Sequence, residues 1–171
     1  MRDSTTEVDW DHGEKYEIGW ILLVLLLSIG ILMNILQLIL HWLVKDLHKL
    51  PNSTVIVWLA IEDLIFDAIC LVTCSSNLHH NRFWGEKEMC ILQGFYAELL
   101  MGSSGFTICS LLYNSYNDIV LSKPLKRSSI LKIQCSIVLY CLFLSIIGII
   151  YPGEARLNSA GTFCFPALQR L

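Results

Sequence analysis

Three acidic residues in the middle of an apolar segment are the feature of this sequence most suited to chemistry. Glu62, Asp63 and Asp67 lie within VIVWLAIEDLIFDAICLVTC, which contains no other charged residue. A carboxylate inside a bilayer costs about 2.5–3.5 kcal/mol on insertion scales, so such residues face a protein interior or water. Asp63 and Asp67 share a helix face, and Glu62 points about 100° away from Asp63. The pattern predicts either an ion, proton or polar-ligand site, or a structural hydrogen-bond network between helices.

A fourth carboxylate follows in the next apolar segment. Glu98 lies eight residues after Cys90, which opens that segment. At 1.5 Å per residue, this spacing puts Glu98 about 12 Å below the helix mouth. That is the depth of a ligand cavity open to the outside, and we expect Glu98 and Asp67 to line one.

The elements that must position these residues are four long apolar blocks. The chain has 171 residues, of which 54% are hydrophobic and 16% charged, whereas globular domains carry about 25% charged residues. Each block meets the length of about 20 residues that a spanning helix needs, and backbone groups in lipid must pair internally. A soluble core helix could explain one block but hardly four. The blocks are Trp20–Val44, Val55–Cys74, Ile91–Tyr116 and Ile130–Tyr151.

Charge distribution predicts the orientation of these helices. The segment before the first block is acidic and lacks the basic start and cleavage site of a signal peptide. We therefore expect the first block to be a retained anchor. The loops after the first and third blocks carry Lys45, Lys49, Lys123, Lys126 and Arg127. By the positive-inside rule these loops are inside and the amino terminus is outside.

The predicted fold class is an all-α membrane protein with four transmembrane helices. The helices are predicted at 19–44, 54–76, 90–117 and 129–151. Extracellular segments are expected at 1–18, 77–89 and 152–171, and cytoplasmic loops at 45–53 and 118–128. We expect the chain to stop before a fifth helix.

Two of the seven cysteines fall on the predicted outer side. Cys90 opens the third helix, and Cys164 lies in the segment after the fourth helix. Disulfides persist on the oxidising side of a membrane, so we predict a Cys90–Cys164 bridge. Cys74, near the outer end of its helix, is the competing partner.

Other chemistry is not indicated. Adjacent His79 and His80 point apart and lack a third ligand at a known metal spacing. No nucleophile–base pairing or phosphate loop is found, so we expect neither an enzyme nor a bound cofactor. The net charge of −3 and the absence of a basic domain argue against nucleic acid as a partner. Asn52-Ser53-Thr54 fits the glycosylation pattern, but it lies in a loop predicted to be cytoplasmic.

The order of several motifs resembles the amino-terminal half of a seven-transmembrane G-protein-coupled receptor. Asn34 matches the asparagine of the first helix, and Leu59-Ala60-Ile61-Glu62-Asp63 resembles the Leu-Ala-x-x-Asp of the second. Trp84 in the outer loop, Cys90 and Cys164 complete the order.

Two branches of this superfamily compete. The segment from Cys90 to Gly94 and the Lys49-Leu50-Pro51 loop look most like the cAMP-receptor-like branch and its orphan relatives. Lys123-Pro124-Leu125 leans towards the rhodopsin-like branch, but the Asp-Arg-Tyr motif of that branch is absent and no arginine stands in its place.

The resemblance implies that an extracellular ligand shifts a helical bundle between states and that the inner face engages a heterotrimeric G protein. Asp63 and Ser104 match the interior polar site that binds sodium in many rhodopsin-like receptors, and Asn34 belongs to the same interior. The plasma membrane would be the location, with lipid, an unknown extracellular ligand and a G protein as partners. The residues expected to face the G protein are Tyr116, Asn117, Asp118, Lys123, Lys126 and Arg127.

The alternative from another class is a complete four-helix membrane protein that acts as an adaptor or as a channel or transporter subunit. Its inward acidic residues would line a pore or an interface. In either case we expect Asp63 and Asp67 to need partners from another chain or a water-filled gap.

Overall fold

The computed structural model of the protein describes residues 17–50, 52–84, 86–150, 155–157 and 164–166. Four long helices dominate it: α1 (Glu17–Leu43), α2 (Ser53–His80), α3 (Glu86–Ile119) and α4 (Arg127–Ile150). A short 3₁₀ helix (Lys45–Lys49) joins α1 to α2, and two short strands follow α4, β1 (Ala155–Leu157) and β2 (Cys164–Pro166). The four predicted helices are therefore present, and α2 runs four residues beyond its predicted end.

Three helices of the described chain are long and apolar enough to cross a membrane. They are Glu17–Leu43, Glu88–Ile119 and Arg127–Gly148. The 28-residue helix α2 is long enough as well, but three acidic residues, Glu62, Asp63 and Asp67, fall in its middle. The protein is accordingly a helical membrane protein. A fourth span formed by α2 and an outer amino terminus remain predictions.

The distribution of side chains supports membrane insertion. Large apolar residues of α1 face outward, among them Leu22, Leu26 and Leu32, which are 55%, 65% and 69% exposed. Many of the most completely buried side chains are polar instead, including Thr107, Asn114 and Gln134. A soluble protein rarely exposes contiguous apolar surface of this extent, whereas lipid covers it at no cost.

Helix α2 is the centre of the bundle. It packs against α1, α3 and α4, and α3 also packs along α4. The α1–α2 interface contains an apolar cluster in which Leu27 meets Cys70 and Cys74, with Leu23 and Phe66 beside them. Since α1 packs chiefly on α2, most of its circumference is left to the surroundings.

Both lysine-bearing loops lie at the same end of the bundle, which we call the basic end. The Asn52 amide nitrogen donates to Ser115 Oγ over 2.8 Å, and the Asn114 amide nitrogen donates to Asn52 Oδ1 over 2.7 Å. The Leu125 backbone N–H donates to Asn114 Oδ1 over 3.3 Å. These bonds join the start of α2, the carboxyl-terminal part of α3 and the loop that leads into α4.

The opposite end carries the hairpin and the α2–α3 turn. Strands β1 and β2 pair antiparallel, with Leu157 opposite Cys164, and both pack against α3. In the α2–α3 turn, Asn81 adopts the left-handed conformation (φ 51°) that ends α2. The backbone N–H of Trp84 then donates to Asn77 Oδ1 over 2.8 Å, which fixes the turn.

Candidate functional site

The carboxyl groups of Glu62, Asp63 and Asp67, here called the α2 carboxyl cluster, define the candidate site. One helical turn separates Asp63 from Asp67, and Glu62 lies on the adjacent face, so the three side chains meet different neighbours. Each carboxyl group contacts at least one small or polar residue of another helix. The cluster thus occupies the interior of the bundle, where a spanning α2 would have to place its acidic residues.

Glu62 is the most enclosed member of the cluster, at 5% exposure. The Trp58 indole N–H donates to Glu62 Oε1 over 2.9 Å. The hydroxyl of Thr107 on α3 lies 3.1 Å from Glu62 Oε2. Trp58 is one turn before Glu62 on the same helix, so the two side chains can meet along one face.

From Thr107 the contacts continue into α4 and back to α3. Thr107 Oγ1 lies 2.9 Å from Gln134 Oε1, and Gln134 Nε2 donates to Ser110 Oγ over 2.7 Å. Both Thr107 and Gln134 are 0% exposed. We call Glu62, Thr107, Gln134 and Ser110 the polar chain, because it connects three helices through consecutive hydrogen bonds.

Sequence reasoning did not find the polar chain. Signals for it exist, since Gln134 is the sole amide side chain in the sequence of α4, and Thr107 follows Ser103 and Ser104 at helical spacing on α3. These signals identify polar faces of α3 and α4. They do not reveal that both faces meet at Glu62.

Asp63 and Ser104 lie together, as the resemblance implied. Ser104 Oγ donates to Asp63 Oδ1 over 2.9 Å. Asn34 does not join this pair but reaches Asp67 instead, with its amide nitrogen 3.5 Å from Asp67 Oδ2. The reason is geometric: Asp67 is on the α1 side of α2, where Gly30 leaves space for its carboxyl group.

Glu98 and Asp67 pack against different helices, and the ligand cavity that they are expected to line stays a prediction. A Cβ atom on Gly148 of α4 would lie 2.9 Å from Glu98 Oε2, so the Glu98 carboxyl group packs against α4. Asp67 packs against α1. Glycine on the neighbouring helix accommodates the carboxyl group in both cases, because the absence of a side chain permits close approach.

Most residues expected to face the G protein are accessible at the basic end. Tyr116, Lys123, Lys126 and Arg127 are exposed, and Asp118 is half-buried. Asn117 differs from them: it is 8% exposed, and its amide nitrogen donates to the Tyr113 carbonyl over 2.8 Å. Its side chain bonds back to its own helix and is not available at the surface.

The state of the thiol groups excludes one of the two bridge partners that the sequence left open for Cys90. Cys70, Cys74, Cys109, Cys135 and Cys141 are free, so Cys74 is not a bridge partner. Cys90 is fully buried. Cys164 lies in β2, of which the backbone alone is described.

The structure also bears on the glycosylation pattern at Asn52 and on metal binding. The amide nitrogen and the amide oxygen of Asn52 both form hydrogen bonds at the basic end. The side chain is therefore poorly placed for glycosylation. Within the described ranges, no three His, Cys, Asp or Glu side chains come together as a metal site would require. The interior offers hydrogen bonding and proton binding as its chemistry.

A comparison with protein-family models finds no match for this chain.

Proposed function

We propose that this chain forms the first four helices of a heptahelical G-protein-coupled receptor. The observation that carries the proposal is the 2.9 Å hydrogen bond from Ser104 to Asp63. These two positions match the interior sodium site of many rhodopsin-like receptors, and the match came from sequence motifs alone. In the proposed receptor, this pair would couple α2 to α3 as the bundle changes state.

The arrangement of the helices supports this proposal. Both basic loops lie at one end, which the positive-inside rule assigns to the cytoplasm, and α2 is central in the bundle. A surface for a G protein is available at the same end, where Tyr116, Lys123, Lys126 and Arg127 are exposed. The plasma membrane is the proposed location, with the amino terminus outside.

A bridge from Cys90 to Cys164 belongs to the same proposal. Cys90 is fully buried and five other cysteines are free, which is compatible with this pairing. The packing of β2 against α3 is consistent with this pairing. Such a bridge would hold the segment after α4 across the outer mouth of the bundle.

Binding of a G protein tests the proposal directly. The chain would be reconstituted in lipid nanodiscs and titrated with purified nucleotide-free heterotrimeric G proteins. We expect binding that is weakened when Lys123, Lys126 and Arg127 are replaced by glutamate. Arg82→Glu, at the opposite end of the bundle, is the matched control and should leave binding unchanged. No binding to any heterotrimer, or equal binding by the two variants, would contradict the proposal.

The interior role of Asp63 needs a separate experiment. Asp63→Asn removes the charge but keeps a side chain that Ser104 can still contact. We expect this variant to reach the membrane but to differ from the wild type in G-protein binding or in its response to ligand. A variant with wild-type surface level and wild-type response would show that Asp63 is a passive packing group.

One observation favours the second candidate, a self-contained four-helix adaptor or channel subunit. Members of the α2 carboxyl cluster find partners within the four described helices, so they do not require another chain. In this case purified protein should form a defined complex with a membrane partner or conduct ions in planar bilayers. Conductance that Asp63→Asn and Asp67→Asn abolish would favour the channel, whereas G-protein binding without conductance would favour the receptor.

A further inference from the structure

We infer that Glu62 is a proton-binding site, and that its bound proton makes it the donor at the head of the polar chain. The chain then runs in one direction, from Glu62 to Thr107, from Thr107 to Gln134 and from Gln134 to Ser110. This inference concerns the hydrogen bonds of the interior and does not depend on the proposed receptor function.

Counting protons along the polar chain gives this direction. Gln134 Nε2 donates to Ser110, so Gln134 Oε1 is the atom that faces Thr107, at 2.9 Å. An amide oxygen can only accept, and a threonine hydroxyl has one proton to give. That proton is therefore committed to Gln134. The remaining 3.1 Å contact between Thr107 Oγ1 and Glu62 Oε2 needs a proton from Glu62.

The second oxygen of Glu62 agrees with a neutral acid. A protonated carboxyl group has one hydroxyl donor and one carbonyl acceptor. Trp58 donates to Oε1 over 2.9 Å, which fits the carbonyl oxygen, and Oε2 faces Thr107 as the hydroxyl. Each oxygen thus meets a neighbour of the complementary kind.

The described surroundings of Glu62 contain hydrogen-bonding side chains, those of Trp58, Thr107 and Ser103, but no positive charge. In the described part of the chain, no Lys, Arg or His side chain lies within ion-pair distance of Glu62. The titratable groups that face this region are Asp63 on α2, Glu98 on α3 and Cys141 on α4. None of them supplies a positive charge to a buried carboxylate, which would be costly without one.

An ionised Glu62 would require the opposite arrangement. Thr107 would donate its proton to the carboxylate, and the Gln134 amide would turn over so that Nε2 donates to Thr107. Ser110 would then donate to Gln134 Oε1. Protonation of Glu62 and the orientation of Gln134 are therefore linked, so a measurement of one reports on the other.

Infrared spectroscopy of the reconstituted full chain tests the inference. The wild-type spectrum minus that of Glu62→Gln, recorded at neutral pH, should contain the carbonyl band of a protonated carboxylic acid, and this band should shift in heavy water. Asp63→Asn is the matched control for a neighbouring carboxyl group. A difference spectrum that contains carboxylate bands and no acid band would overturn the inference.

Thr107 variants test the direction of the chain. Thr107→Val removes the acceptor for the Glu62 proton, so the acid band should move to the higher frequency of a weakly bonded group. Thr107→Ser keeps the hydroxyl group and should leave the band in place. This variant keeps the test decisive if Thr107→Val fails to fold. An acid band that is identical in the serine and valine variants would show that Glu62 does not donate to Thr107.

Discussion

Replacing Gly30 by alanine inserts a methyl group where the Asp67 carboxyl group now lies. The added Cβ would overlap Asp67 Oδ2, the nearest atom across the α1–α2 interface. Either the carboxyl group rotates away, or the two helices separate locally. Rotation also breaks the 3.5 Å contact with the Asn34 amide, which is long for a hydrogen bond and correspondingly weak.

Two opposing effects set the size of the change. Overpacking of a tight interface costs about 1–3 kcal/mol, and the lower half of that range applies because the carboxyl group is the movable end of a side chain. Alanine in place of glycine contributes about 1 kcal/mol of helix propensity in return. Gly105 is the matched control, since its added Cβ would meet no atom within 4 Å. We therefore expect Gly30→Ala to be about 1–2 kcal/mol less stable than Gly105→Ala.

The assay is reversible unfolding of the purified chain in mixed micelles, with helix content followed by circular dichroism. A double-mutant cycle with Asp67→Ala isolates the contact, because the smaller side chain leaves room for the new methyl group. In the Asp67→Ala background, Gly30→Ala and Gly105→Ala should change the free energy of unfolding equally. Equal stability of the two glycine variants in the wild-type background would refute the reasoning.

Three other predictions concern different contacts. Gly148→Ala should destabilise the α3–α4 interface by less than Gly30→Ala does, because the longer Glu98 side chain can move more freely; a larger loss in the same unfolding assay would contradict this. Asn52→Ala should lower the free energy of unfolding by about 1–3 kcal/mol because it removes the hydrogen bonds to Ser115 and Asn114. Mass spectrometry of the wild type should find no glycan on Asn52. Cys90→Ser should expose one new reactive thiol, on Cys164, in a labelling experiment, and unchanged labelling would rule out the bridge.

Much of the framework could be predicted from the sequence because bilayer insertion leaves a plain signal. Apolar length alone located the helices, since a spanning helix requires about 20 apolar residues. The order of receptor-like motifs assigned Asp63 and Ser104 to one interior polar site, and the two side chains are in contact. These features depend on spacing along the chain, which a sequence displays directly.

The contacts of individual side chains were harder to predict from the sequence. Asn34 was expected beside Asp63 but reaches Asp67, and Glu98 turns towards Gly148 on α4. The helical period gives the face of a residue, but the rotation of one helix against another decides which faces meet. The polar chain was missed for the same reason, since it needs the relative positions of α2, α3 and α4 together.

The hydrogen-bonding partners of the α2 carboxyl groups lie on different helices, and this has a consequence for membrane insertion during synthesis. As α2 leaves the ribosome, the partners of its carboxyl groups on α1 already exist, but Ser104, Thr107 and Gln134 have yet to be synthesised. Taken alone, α2 would enter lipid poorly, because each uncompensated acid opposes insertion. If α2 spans the bilayer as proposed, its stable integration should wait in the translocon until α3 and α4 arrive, and the four helices would enter the bilayer as a group.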